Sequence, residues 1–276
     1  VTSDEAVRVV DELAELGAGE VVLVGGEAYL RNDFILIVRA IREAGMACSM
    51  TTGGLNLSPA RCQAMAEAGV MSVNVSIDGM EAAHDELRGV SGSWRKAFAA
   101  IENLHAAGIR VSVNSQINPL TMHDLPQLLE ALHATGIAGW QLQITAPFGN
   151  AGDNPHVLLQ PYMYPELFAL LDTLVDRAEA LGIRIWPANN LGYFGPLEAK
   201  LRTFQKKGAH YKGCGAGRVS MGIEADGAIK GCPSLGGPEN VGGHWRDLGL
   251  RAIWGGRPPA HLHARAHRER AVGLLR

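Results

Sequence analysis

Between Ser72 and Thr145, three apolar runs alternate strictly with polar residues, and no other feature constrains the fold as tightly. Val73, Val75 and Ile77 interleave with Ser72, Asn74, Ser76 and Asp78. Val111 and Val113 interleave with Ser112, Asn114 and Gln116, and Trp140, Leu142 and Ile144 with Gln141, Gln143 and Thr145. Alternation with period two marks a strand with two unlike faces. Helical periodicity separates the runs, so strand follows helix follows strand. That order requires right-handed crossovers and a parallel sheet. Parallel strands covered on both faces are apolar on both. An ordinary barrel of this kind fills its interior with branched apolar side chains. A polar face in three successive strands instead predicts a splayed barrel with ligand or water inside. The alternative is a sheet with one solvated face, which crossover helices, normally covering both faces, disfavour.

The same reading along the chain gives helices over 4–16, 32–44, 58–68, 93–107, 122–135 and 163–181. Strands fall at 20–25, 47–52, 72–77, 110–116, 140–145 and 183–186. Ser58 and Pro59 mark a helix start, as cap and first-turn residue. The expected class is α/β, with a partial (β/α)6 TIM-like barrel over 1–186 that lacks its first strand. A loop-rich linker, with a short helix near 197–206, covers 187–213. A small cysteine-bearing domain covers 214–276, with a β-hairpin over 219–224 and 228–231 turning on Asp226-Gly227.

The charge balance excludes some partners. A formal net charge of −3 predicts no nucleic-acid partner. No apolar run of about 18 residues exists, so no membrane span is expected. The opening Val1-Thr2-Ser3-Asp4-Glu5 leads directly into a helix with Thr2 or Ser3 as cap, without a signal peptide. It also lacks an initiator Met and reads as an excerpt of a longer protein. Four scattered cysteines suggest reduced thiols and a cytoplasmic setting. The tail from Arg257 to Arg276 carries five Arg, three His and one Glu and reads as a solvated helix or a fragment end.

Several residues at strand ends could carry chemistry. Gly25, Gly26 and Glu27 close the first strand. Two glycines let a ligand approach the backbone, and the carboxylate after them could accept strong hydrogen bonds from an ammonium group. Ser76-Ile77-Asp78-Gly79 closes the third strand, where Asp78 could hold a ribose hydroxyl pair or simply form a turn. His84, Asp85 and Arg88 follow as H-D-x-x-R. Arg88 suits either a ligand carboxylate or an ion pair with Asp85. Cys214, Gly227 and Cys232 are spaced C-x12-G-x4-C, and thiolates of this kind ligate iron–sulfur clusters. Cys48 and Cys62 lie on a strand and a helix and read as core. His261 and His263 in the tail read as solvated.

Taken together, Val24-Gly-Gly-Glu27, Thr51-Thr-Gly53, Val75-Ser-Ile-Asp-Gly79, His84-Asp85 with Arg88-Gly89, and Cys214…Gly227…Cys232-Pro233 resemble radical S-adenosylmethionine (SAM) proteins. The resemblance is to those that carry the auxiliary iron–sulfur domain called SPASM, and it spans essentially the whole chain. It implies that Gly25, Gly26 and Glu27 contact the methionyl amine of SAM. Ser76 and Asp78 would lie near its ribose, and Gln116 and Gln143 along the same cavity. It implies a radical SAM enzyme with a [4Fe–4S] cluster that delivers one electron to SAM, so that a 5′-deoxyadenosyl radical abstracts hydrogen from substrate. The implied partners are a peptide or protein substrate and an electron donor such as ferredoxin or flavodoxin. Cys214 and Cys232 would be two ligands of an auxiliary [4Fe–4S] cluster, and Leu248-Gly-Leu-Arg-Ala-Ile-Trp254 matches the segment that precedes further cysteines in that domain.

Two departures stand out. Ala28 replaces the Pro that usually follows the Glu, which loosens the turn and keeps the carboxylate. The C-x3-C-x2-C motif that ligates the family's primary cluster is absent from this chain, so the segment alone is expected not to cleave SAM. One other class is a degenerate, non-catalytic relative that binds a peptide or nucleotide. A second is an unrelated barrel lyase or aldolase, which should show a Lys or a metal-ligand cluster at its strand ends, and neither is present.

Overall fold

A computed structural model describes residues 1–188, 190–191, 195–202 and 213–255. In chain order its elements are α1 (Ser3–Glu15), β1 (Glu20–Leu23), α2 (Phe34–Glu43), β2 (Ala47–Thr52), α3 (Pro59–Ala68), β3 (Ser72–Ser76), α4 (Glu81–Arg88), α5 (Ser93–Ala106), β4 (Arg110–Ile117) and α6 (Leu125–Ala134). They continue with β5 (Gly139–Ile144), a one-turn α7 (Asn150–Asp153), α8 (Tyr164–Ala180), β6 (Arg184–Pro187), a one-turn α9 (Glu198–Leu201), β7 (Gly222–Ile223), β8 (Ala228–Lys230), β9 (Val241–His244) and α10 (Trp245–Gly255). The chain divides into two compact units, one of residues 20–212 and one that joins residues 1–19 to the segment from Gly213 onward.

The larger unit holds one parallel sheet in the order β1-β2-β3-β4-β5-β6. A strictly sequential order with crossovers of one hand winds every connecting helix onto the same face. That face carries the core: Cys48, Met50, Val73, Val75, Val113, Trp140 and Leu142 are all nearly inaccessible. Each such large apolar side chain contributes about 1.5–3 kcal/mol through burial. The opposite face carries the polar residues, in register across the strands. Thr51 pairs with Asn74 and Asn74 with Ser112. Ser76 pairs with Asn114, Asn114 with Gln141, and Gln141 with Trp186. Gln116 pairs with Gln143 above them. Burial alternates accordingly, fully buried on the apolar face and half-buried on the polar one. The crossover helices therefore cover one face and leave the polar face as the inner one.

Local chemistry sets the element ends. Ser58 Oγ accepts from the Arg61 N–H at 3.3 Å with Pro59 in the first turn, and Gly69 closes α3 in the left-handed region at φ +101°. Helix α4 falls outside the sequence expectation. It is only eight residues long and strongly polar, with His84 its one buried residue, so its apolar stripe is too short to register. Within the segment expected as linker, Asn190 is tied to the sheet. Asn190 donates from Nδ2 to the Ile144 carbonyl at 2.6 Å and accepts from the Ile144 N–H at 3.1 Å.

The smaller unit has its own core, made of Val9, Ile229, Trp245, Leu250 and Ile253 with Leu13, Leu16, Met221 and Ile223 packed around it. Its antiparallel sheet runs β7-β8-β9. The expected hairpin forms. Asp226 Oδ1 accepts from the Ala228 N–H at 2.8 Å, and Gly227 takes φ +100°, where an added Cβ would sit 2.9 Å from His244 Cε1. Strand β9 is an addition, masked in the sequence by its two glycines. Glu12 of α1 fixes the kink of α10 at Gly249 by accepting from Trp245 Nε1 at 2.8 Å and from the Leu250 N–H at 2.6 Å. Glu5 accepts from Arg246 Nε at 2.6 Å and Nη2 at 2.8 Å, which holds its carboxyl down at about 2.

The expected boundary placed α1 with the barrel, whereas its contacts group it with the C-terminal segment. Helical periodicity shows that α1 has an apolar stripe, and it carries no information about which element covers that stripe. The basic tail, His261, His263 and the end of the helix expected near 197–206 lie outside the described residues.

Candidate functional site

Beyond Leu23 the chain turns through Gly25 at φ +93° and Gly26 at φ +50°, both with open space where a Cβ would stand. A side chain would be strained at either position, and the exposed backbone leaves room for a ligand. Glu27 follows. One carboxylate oxygen accepts from the Thr52 hydroxyl, and the other accepts from the Gly53 N–H at 3.1 Å. Gly53 is needed at that point, since an added Cβ would lie 3.0 Å from Glu27 Oε1. Among the described residues no Lys, Arg or His forms an ion pair with Glu27, so neutral donors alone orient its carboxylate. Behind it, buried Tyr29 donates to the Leu55 carbonyl. Burial, with Glu27 close by, pushes the Tyr29 phenol well above its ordinary value. Ala28, in the place of the family's Pro, begins a single 3-10 turn that is closed by the Leu30 N–H on the Glu27 carbonyl at 2.9 Å.

The second stretch, Ser76 to Gly79, has almost every polar group tied down. The Ile77 carbonyl accepts from the Ser115 hydroxyl, which in turn accepts from Trp140 Nε1 at 2.8 Å. The Asp78 N–H donates to His84 Nδ1 at 3.1 Å. Asp78, only 3% exposed, accepts from the Gln116 N–H at 3.0 Å on one oxygen and from Arg88 Nε at 2.8 Å on the other. Gly79 is held close to Asp124, where a Cβ would meet Oδ2 at 2.8 Å, and that same oxygen accepts from the Met80 N–H at 2.8 Å.

The H-D-x-x-R run thus clamps this turn. His84 serves as an acceptor, and burial lowers its pKa. The Arg88–Asp85 pair considered from sequence gives way to Arg88–Asp78. Asp85 instead caps α5, accepting from the N–H groups of Trp94 and Gly92 and from the Ser93 hydroxyl; its carboxyl is held low, chiefly by the Trp94 N–H. Asp78 still has acceptor capacity for a ribose hydroxyl, because each carboxylate oxygen can take two hydrogen bonds.

Strand register puts Gln116 beside Gln143 on the polar face, above the Ser76–Asn114–Gln141–Trp186 row. The amide oxygens of Asn74 and Asn114 are buried with no hydrogen-bond partner. Buried polar atoms are rarely left so, and on this face they fit a bound polar group or water. The sequence singled out the Thr51-Thr-Gly53 stretch but not the bond from Thr52 to Glu27, and it missed Ser115, which like Thr52 sits on the buried face out of phase with the polar rows, and Trp186, an aromatic in the polar phase of the last strand.

Cys214 is exposed and Cys232 half-buried, on either side of the hairpin. Among the described residues no group of three or more His, Cys, Asp or Glu is placed to hold a metal ion. Cys48 and Cys62 are fully buried, and burial pushes both thiols up to about 11, in keeping with core roles.

Residues 1–132 match the family described as Radical SAM superfamily. Among curated proteins, an AdoMet-dependent heme synthase of Methanosarcina barkeri is 30% identical over 57% of this chain and 45% of its own length. The sporulation killing factor maturation protein SkfB of Bacillus subtilis is 28% identical over 55% of this chain and 37% of its own length. The chain therefore spans about half the length, or less, of the curated relatives it matches. Among solved structures, Streptococcus suis SuiB bound to S-adenosylmethionine superposes with a TM-score of 0.76 at 15% identity, over 95% of this chain and 60% of that one. SuiB bound to its precursor peptide SuiA gives 0.73 at 14% identity, over 94% and 59%. At that identity the likeness is one of fold, a six-stranded portion of a TIM-like barrel followed by a small antiparallel sheet. The Gly-Gly-Glu turn and the Ser-Ile-Asp-Gly clamp both lie within residues 1–132, the part of this chain that matches the radical SAM superfamily.

Proposed function

We propose that this chain is the SAM-binding part of a radical SAM enzyme of the SPASM type that acts on a peptide. The observation that carries this reading is the Glu27 carboxylate, held by Thr52 and Gly53 beside two open glycines and lacking a cationic partner among the described residues. An ammonium group is the partner that such a carboxylate suits, and the methionyl end of SAM carries one. Gly25 and Gly26 would give it backbone access. Ser76 and Asp78 would face the ribose, with Arg88 near a carboxylate and Gln116 and Gln143 along the cavity wall. The unpaired amide oxygens of Asn74 and Asn114 support a polar guest on this face. Bound SAM would supply the radical chemistry for hydrogen abstraction. The residues of this chain bind it, orient it and shield it from water.

The cluster sites fit less well. Cys214 and Cys232 would give an auxiliary [4Fe–4S] site two thiolates of the four it needs, and the primary motif is not in the sequence. A cytoplasmic protein reduced by a ferredoxin or flavodoxin is part of the same proposal. The peptide substrate is supported by relatives such as SkfB, a maturation protein. A tetrapyrrole substrate is the second reading, favoured by the likeness to AdoMet-dependent heme synthase.

Equilibrium dialysis with S-adenosylhomocysteine tests the core of the proposal. Binding should occur, and Glu27→Gln should weaken it at least ten-fold. Equal affinity in the two proteins would remove the basis for the reading. The 276-residue chain alone should yield no 5′-deoxyadenosine above a protein-free control.

A further inference from the structure

The loop after β2 carries the groups that orient Glu27, and side chains from three other elements hold three of its carbonyls in succession. Tyr29, in the turn after Glu27, donates from its hydroxyl to the Leu55 carbonyl. Arg61 of α3 donates from Nη1 to the Asn56 carbonyl at 2.7 Å. Asn103 of α5 donates from Nδ2 to the Leu57 carbonyl at 2.9 Å. The backbone they hold is not relaxed. Gly54 takes φ +80°, and Asn56, at φ +59°, is the one non-glycine residue with positive φ among the described residues. Such a conformation persists where its surroundings over-determine it. Thr52 and Gly53 stand at the start of this loop. The Thr52 hydroxyl accepts from the Gly54 N–H at 2.9 Å and donates to Glu27, while the Gly53 N–H reaches the other carboxylate oxygen at 3.1 Å. Of the three side chains that hold the loop, Tyr29 alone belongs to the same turn as Glu27, with only Ala28 between them. It is 4% exposed, the Arg61 guanidinium lies 5.3 Å from its ring centroid, and the Thr52 and Glu27 side chains stand beside it. The phenol thus ties the turn that carries the carboxylate to the loop that orients it.

We propose that Tyr29 is a positioning residue for recognition of a ligand's ammonium group: by holding the Leu55 carbonyl it fixes where Thr52 and Gly53 place the Glu27 carboxylate. This rests on the radical SAM reading, which makes Glu27 the partner of the methionyl amine. It adds a residue that acts through Glu27 rather than on the ligand. A tyrosine that served stability alone would affect every part of the site alike. A positioning tyrosine affects the amino-acid end of the ligand and spares the nucleoside end, whose Ser76–Gly79 turn is held by His84, Arg88 and Asp124 instead.

The test compares two ligands on the full chain by equilibrium dialysis. S-adenosylhomocysteine carries the amino-acid end, and 5′-methylthioadenosine is the same nucleoside thioether without it. Tyr29→Phe keeps the buried ring and removes only the hydroxyl. It should weaken S-adenosylhomocysteine about five-fold, the worth of one neutral hydrogen bond, and change 5′-methylthioadenosine by less than about two-fold. Glu27→Gln should cost less affinity for S-adenosylhomocysteine in the Tyr29→Phe background than in the unmodified protein, because both changes act through one carboxylate. Unchanged S-adenosylhomocysteine affinity in Tyr29→Phe, equal weakening of the two ligands, or strict additivity with Glu27→Gln would each overturn the proposal. Failure of the unmodified protein to bind S-adenosylhomocysteine would sink the radical SAM reading and this proposal with it. Binding without the selective loss would remove Tyr29 from the site and leave that reading standing.

Discussion

The Asp78–Arg88 pair offers the sharpest test of how the turn after β3 is built. Asp78 Oδ2 sits 2.8 Å from Arg88 Nε, with side-chain exposures of 5% and 35%. Exposed pairs are worth about 0.2–1 kcal/mol, whereas breaking a fully buried pair costs about 3–5 kcal/mol. Arg88 reaches solvent, so the coupling should fall between these limits, at about 1–2 kcal/mol. Asp78→Asn keeps an acceptor for the Gln116 N–H and should lose little beyond the coupling. Asp78→Ala also strands that N–H and should cost about 2–4 kcal/mol in total. Urea unfolding of Asp78→Asn, Arg88→Met and the double variant gives the coupling directly. Strict additivity of the two single changes would mean that the pair contributes nothing, and the clamp reading would fail. The same variants separate two roles for Asp78 in ligand binding. If it acts by holding the turn, Arg88→Met should weaken S-adenosylhomocysteine about as much as Asp78→Asn does. If only Asp78→Asn weakens it, the carboxylate contacts the ligand itself.

Other consequences follow from particular residues. His84 is buried with its pKa lowered and accepts from Asp78, so it stays neutral when folded while the unfolded chain takes up a proton. Stability should therefore be unaffected by this group above its ordinary pKa of 6.5 and fall as pH drops below it. His84→Gln should flatten that slope in pH-dependent urea melts, and an unchanged slope would remove His84 as its source. Gly54→Ala should lower stability by about 2–4 kcal/mol, since φ is +80° and the new Cβ would lie 2.9 Å from Ala100 Cβ; a thermal melt within a degree of the parent would refute this. Iodoacetamide under native conditions should label Cys214 well before Cys48 and Cys62, which are buried with thiols pushed up to about 11. Peptide mass mapping that found Cys48 or Cys62 labelled first would contradict that burial.

What the sequence alone determined was the alternating pattern and its consequences. Interleaved Val and Asn, Ser or Gln residues in β3, β4 and β5 set the parallel sheet and its polar inner face, because a strand's side chains point to opposite faces with period two. Gly25-Gly26-Glu27 and Ser76-Ile77-Asp78 were legible because they sit where apolar runs stop. Pairings between distant residues were not legible. Whether Arg88 meets Asp85 or Asp78 depends on how α4 turns over the end of β3, and α4 has only one buried residue to mark it. Thr52 holds Glu27 across 25 residues, and Ser115 links Trp140 to Ile77, each from the buried phase of its strand. Helix α1 could be read as amphipathic, yet its cover of β8 and α10 residues comes from more than 200 positions away. Local periodicity fixes which face of an element is apolar. The energy of covering that face is shared among elements far apart in sequence, and so only the folded chain decides which of them meet.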